Sequence, residues 1–187
     1  MIKRAMILGL VVAVMAMMAA CGDDDDDNGG GGGGGMIGEA SFEISGDLEK
    51  SVADGGAYFD TLDLSDSPGP ADYQFEIMIA ESIPIGFDTT HIRFTHPTDD
   101  GSYLPEPGEY DVQFAIVPDT WQGFLEIGDG QGDLVANEQG EATLTIDSAS
   151  SSEVVGSFEV EFVEAVAEDD IEATATGSFR ADPNPGS

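Results

Sequence analysis

The stretch Tyr73-Gln74-Phe75-Glu76-Ile77-Met78-Ile79-Ala80 decides the fold. Tyr73, Phe75, Ile77 and Ile79 alternate with Gln74, Glu76, Met78 and Ala80. Successive side chains of a strand point to opposite faces, so this period of two reads as a strand with one face in a core. The texture recurs in both directions. Ala40, Phe42 and Ile44 alternate with Ser41, Glu43 and Ser45. Ile92 and Phe94 alternate with His91, Arg93 and Thr95, and Tyr110, Val112, Phe114 and Ile116 with Asp111, Gln113 and Ala115. Ala142, Leu144 and Ile146, then Phe158, Val160 and Phe162, then Ile171, Ala173 and Ala175 repeat it to Phe179.

Turn chemistry separates the runs: Asp54-Gly55-Gly56, Ser67 to Pro70, Asp99-Asp100-Gly101, Pro105 to Gly108, Gly128-Asp129-Gly130, Asn137 to Gly140 and Ala167 to Asp170. No window has a helical period. Eight to ten short strands at this spacing predict one all-β domain over 37–182. An antiparallel β-sandwich is the expected architecture, with an up-and-down barrel-like sheet as the alternative. Residues 183–187 are expected to be a disordered tail.

The start of the chain has a different texture. Lys3 and Arg4 precede an uncharged apolar run from Ala5 to Met18, with Ala19-Ala20 before Cys21. That is the layout of a secretory signal over 1–20, and a run of about 14 residues is short of the roughly 20 that span a bilayer. Met18-Ala19-Ala20-Cys21 resembles the lipobox of bacterial lipoproteins, with Met18 where leucine is the usual residue. The resemblance implies cleavage before Cys21, acylation of its thiol and a membrane partner reached through that anchor. Two or more acyl chains hold a protein durably on a membrane, whereas one binds marginally.

Gly22, Asp23 to Asp27, Asn28 and the glycines Gly29 to Gly35 follow. Such a stretch over 21–36 is a flexible tether with a span on the order of 20 Å. Gly22 follows the cysteine directly, so the usual aspartate signal for inner-membrane retention is absent. The outer membrane is the expected address.

In the later half, Pro107-Gly108-Glu109-Tyr110, Gly140 to Asp147, Val155-Gly156-Ser157-Phe158-Glu159-Val160 and Thr176-Gly177-Ser178-Phe179 follow one another. This order resembles small bacterial lipoprotein domains of unknown function. The resemblance implies an antiparallel β fold and brings no activity with it.

Charge excludes one partner class. The chain carries 38 acidic and 5 basic residues, a formal net charge of -33. Nucleic-acid binding depends on Lys and Arg displacing counterions, so no nucleic-acid partner is expected. With Cys21 as the only cysteine, an intramolecular disulfide is excluded. G-x-S-x-G, G-x-x-x-x-G-K-[ST] and G-x-G-x-x-G do not occur. His91 and His96, five apart on one strand, would point to opposite faces and do not make a zinc site; both are expected to be exposed.

No cofactor is expected, solvated turn carboxylates being the favoured reading of the acidic clusters; calcium is the most credible small partner. Asp129, Gln131, Asp133 and Asn137 fall at the first, third, fifth and ninth positions of a calcium-like loop. Leu134 stands where the loop needs glycine, and Gly140 where a glutamate clamps the ion. Asp60, Asp63 and Asp66 form another acidic group. Trp121 and Phe124 could offer an aromatic platform to a sugar or peptide; burial in the core is the competing reading. The function expected from all this is a non-catalytic binding module of the cell envelope, with an envelope protein or glycan as partner. A carboxylate-based hydrolase or a calcium-dependent carbohydrate-binding protein is the alternative.

Overall fold

The structure, a computed structural model, describes residues 38–66, 71–86, 88–113, 120–128, 133–137, 142–164 and 171–184. The expected signal segment, Cys21 and the expected tether lie outside the described residues. Among the described residues every regular element is a strand. In chain order these are β1 (Glu39–Gly46), β2 (Lys50–Asp63), β3 (Tyr73–Ala80), β4 (His91–Thr98) and β5 (Gly108–Gln113). β6 (Trp121–Glu126), β7 (Asp133–Ala136), β8 (Ala142–Ser150), β9 (Glu153–Glu164) and β10 (Glu172–Pro183) complete the set.

The domain is all-β, as the alternation requires. The pairing departs from the expected sandwich, because the strands do not separate into two sheets. β1 pairs with β2, and the wall continues through β3, β4, β6, β5, β8, β9 and β10 back to β1, closing a ring of nine described strands. The barrel-like alternative therefore fits, although β5 and β6 exchange places relative to a simple meander. β7 is the extra strand: it pairs with the far end of β6 and with β9, filling the wall where β5 no longer reaches. Two short contacts, β10 with β2 and β5 with β6, are parallel, so the sheet is mixed. Among the described strands closure leaves no long open edge to invite aggregation.

Bends make closure feasible. In β2, Ala40 and Phe42 of β1 face Gly55 and Val52, leaving Ala53 and Asp54 as a bulge. In β8, Ile146 and Ser148 face Gly156 and Val155, leaving Asp147 as a second. Bulges bend a strand and increase its twist. The expected turn at Asp54-Gly55-Gly56 is accordingly corrected: the chain runs straight through it as β2. Gly55 is required there because a Cβ would lie 2.6 Å from the Ala80 carbonyl oxygen.

Side chains fill the interior. Trp121, Phe75, Phe94, Phe162, Ile77, Ile79, Ile92, Leu125 and Leu144 are fully buried in one cluster with Phe42, Phe158 and Phe179. Each such side chain contributes about 1.5–3 kcal/mol. Phe75 and Trp121 meet edge to face at 6.0 Å, the arrangement that ring quadrupoles favour. β10 continues to Pro183, and Asn184 donates its backbone N–H to the Phe59 carbonyl.

The two G-S-F triplets explain each other. β9 and β10 are antiparallel, so Gly156 lies opposite Phe179 and Gly177 opposite Phe158. Each ring packs over the bare backbone of the facing glycine, an aromatic cover for a residue with no side chain of its own. Tyr110, from the P-G-E-Y run, donates its hydroxyl to the Glu106 carbonyl at 2.6 Å and pins the entry to β5. The motifs that carry the resemblance are thus parts of the wall.

Candidate functional site: a bulge-lined groove on the outer wall

A packed interior leaves the outer surface for recognition. A groove of about 550 Å³ crosses the wall from β2 to β8, lined by Glu39, Ser41, Asp54, Asp147, Val155, Ser157, Ser178 and Arg180 among others. Both bulges open onto it. Asp54 and Asp147 are displaced residues of β2 and β8, re-aimed to its two sides. Bulges often serve this purpose beside functional sites.

Between them the floor is set by register. Ser41 of β1 faces Ser178 of β10, which faces Ser157 of β9, which faces Thr145 of β8. Adjacent strands are about 4.8 Å apart, so hydroxyls repeat at that interval across four strands. Ser41 and Ser178 are in hydrogen-bond contact at 3.4 Å. Arg180 stands at the rim, 3.3 Å from Glu153, in an exposed pair that contributes at most about 1 kcal/mol. A second hollow of about 380 Å³ continues over Glu43, Ser51 and Thr176. Hydroxyls, carboxylates and one guanidinium can donate to and accept from a polar, extended ligand.

Another part of the wall carries an apolar and cationic row. The register places Tyr58 of β2, Met78 of β3, Arg93 of β4, Phe124 of β6 and Val135 of β7 side by side on the face away from the core, where Met78 and Val135 are buried and the other three half-buried. The Arg93 guanidinium lies 5.0 Å from the centre of the Phe124 ring, a cation–π contact. Beside it, Glu76 is only 7% exposed. Burial raises its carboxyl pKa above the usual value; Arg93 pulls the other way and Asp60 adds to the rise. Burial raises Tyr58 too, with Glu76 and Asp60 adding to it.

Of the two readings of Trp121 and Phe124, burial in the core holds for Trp121 and the aromatic platform is not formed by the pair. Trp121 is 1% exposed and belongs to the core, among Phe75, His96 and Tyr110. Inward alternation with Gly123 and Leu125 puts it there. Phe124 points outward, but Arg93 covers its ring. The two histidines do face opposite sides of β4, and neither is exposed. His96 is 7% exposed and stacked on Tyr103 at 4.8 Å. The His91 side chain is 12% exposed, with Nε2 3.3 Å from Glu126 and Nδ1 3.3 Å from the Thr89 carbonyl.

Of the calcium loop, Asp129 lies outside the described residues, and only the backbone of Asp133 is described, paired with Glu126. Asn137 donates its N–H to the Glu161 carbonyl. Asp60 accepts from Asn184 and from the Thr61 N–H, and Asp63 from the Ser65 N–H. Among the described residues no three His, Cys, Asp or Glu side chains are grouped to hold a metal ion. The groove residues Asp54, Asp147 and Arg180 were not candidates from sequence. Comparison with protein-family models, with curated proteins and with solved structures finds no match for this chain.

Proposed function

We propose that this protein is a lipid-anchored binding module of the bacterial cell envelope, tethered through Cys21 and working without catalysis. The chain order supports the anchor: a signal-like segment, a lone cysteine behind small residues, then a charged and glycine-rich spacer. The observation that carries the binding role is the division of the barrel. Its interior is filled by aromatic and aliphatic side chains, while a hydroxyl-floored groove with bulge-borne Asp54 and Asp147 lies on the outside. The tether would hold that groove clear of the headgroups. An envelope glycan or protein segment is the fitting class of ligand, and the outer membrane the fitting address.

Mass spectrometry of the chain extracted from its native membranes tests the anchor. The expected product begins at Cys21 and carries thioether-linked lipid; an intact Met1 terminus ends the reading. A photo-crosslinking side chain at Ser157 tests the groove. It should capture an envelope component, and Asp54→Asn with Asp147→Asn should abolish the capture. Equal capture from a crosslinker at Glu109, outside the groove, would overturn its role.

A further inference from the structure

We propose that the ligand of the outer groove is a linear glycan bearing free amino groups, a polymer of amino sugars lying across the strands. The proposal rests on the groove being the binding site and names the chemistry that this groove selects.

The charge of the lining calls for a cation. Glu39, Asp54 and Asp147 are exposed carboxylates of the groove, and the cation of its lining, Arg180, is already paired with Glu153 at 3.3 Å. The next outward row, two residues along the strands, adds Glu43 of β1 and Glu159 of β9 on either side of Thr176. Carboxylates therefore stand on β2, β1, β9 and β8, in a chain of formal net charge -33. Such a lining repels an anionic ligand and draws in protonated amines.

The register calls for a repeating ligand. Ser41, Ser178, Ser157 and Thr145 place one hydroxyl on each of four adjacent strands, about 4.8 Å apart. A hydroxyl both donates and accepts, so the row suits a polymer that offers hydroxyls at every step. A chain of pyranose rings laid across the strands does so, and an amino group on each ring reaches the flanking carboxylates. The wall suits other classes less well. A peptide strand binds a sheet through the backbone of an open edge, and the described strands close into a ring. A neutral glycan gains most from an exposed aromatic ring, but the aromatic residue of the lining, Phe179, is 4% exposed and turned into the core. Amines on the carboxylates take the place of that stacking.

Isothermal titration calorimetry of the full chain in neutral detergent tests the proposal. The probe is the glucosamine hexamer obtained by deacetylating chitin, at mildly acidic pH and about 0.05 M salt. The hexamer should bind, and its fully N-acetylated form, with the same backbone and no charge, should bind at least about tenfold more weakly. Asp54→Asn with Asp147→Asn should weaken binding about tenfold. Asp99→Asn with Glu109→Gln removes as much charge from exposed positions outside the groove, and should weaken it less than about twofold. Equal losses from the two pairs would reduce the attraction to net charge and overturn the assignment. Equal binding of the acetylated hexamer would overturn the role of the amines. Hexalysine binding as tightly as the glucosamine hexamer, with the same dependence on Asp54 and Asp147, would replace the glycan by a basic peptide. If the glucosamine hexamer does not bind while the crosslinker at Ser157 still captures an envelope component, the amino-sugar assignment fails and the groove stands. If the crosslinker captures nothing either, the groove fails with it.

Discussion

Replacing Gly177 by alanine puts one methyl group where the barrel wall has no room. A Cβ there would lie 2.5 Å from the Ser41 carbonyl oxygen, 2.7 Å from Cζ of Phe158 and 2.8 Å from Cβ of Phe42. The Phe158 ring could tilt away, but the Ser41 carbonyl is held in the β1–β10 ladder. Overpacking of this kind costs about 1–3 kcal/mol. Alanine recovers about 0.5–1 kcal/mol of the chain entropy that glycine loses on folding. The net loss is then about 1–2 kcal/mol. For a domain of this size each kcal/mol lowers the midpoint by about 2–4 °C, so a fall of roughly 2–8 °C is expected in a thermal melt followed by circular dichroism. Gly108→Ala is the control, because nothing lies within 4 Å of a Cβ built there. It should leave the midpoint unchanged or raise it slightly. Adding Phe158→Leu to Gly177→Ala should not restore the wild-type midpoint, because the carbonyl contact remains. If Gly177→Ala melts within about 1 °C of wild type, the close packing of ring on glycine is not what holds β9 to β10.

Two further substitutions report on single groups. Burial raises the Glu76 pKa above 4.5 in the folded chain. A raised carboxyl contributes stability below its unfolded pKa and loses it as pH rises through the folded pKa. Glu76→Gln should therefore melt above wild type at pH 7, and the gap should close below about pH 4; a gap unchanged with pH would contradict this. Tyr110→Phe removes the 2.6 Å hydrogen bond to the Glu106 carbonyl. Urea unfolding should register a loss of about 1 kcal/mol; no change in the urea midpoint would mean that water replaces the bond at no cost.

Alternation made the core positions of β1, β3, β4, β8, β9 and β10 legible, because a half-buried strand writes its inward face at every second residue. Phe75, Ile77 and Ile79 are all fully buried, as that pattern demands. β2, β6 and β7 escaped for separate reasons. In β2 the inward positions are Val52, Gly55, Ala57 and Phe59, with a step of three at the bulge, and the glycines mimic a turn. In β6 the middle inward position is Gly123, whose space is taken by Val112 and Phe162 from other strands. β7 is too short to show a period. The same step of three appears in β8, from Ile146 to Ala149, and it marks the bulge that carries Asp147. The groove was thus written in the sequence as two slips of phase, readable only once the strands on either side are known. Sandwich and closed barrel share one inward pattern. What separates them is which strands pair, and periodicity is silent on that.

The placement of the glycine motifs bears on where recognition can reside. Gly156, Phe158, Gly177 and Phe179 are occupied with one another, and Tyr110 with its own corner. These residues specify a wall, and any chain that keeps them can keep the barrel while its outward positions differ. The outward positions are therefore where this chain's own chemistry lies. The bulge groove takes those of β1, β8, β9 and β10, while the Arg93 row on β3, β4 and β6 is largely covered. β2 contributes to both, but at different points: Asp54 at its bulge and Tyr58 four residues on. The strand passes from one to the other without sharing a side chain, so a substitution in the Arg93 row leaves the lining of the groove unchanged.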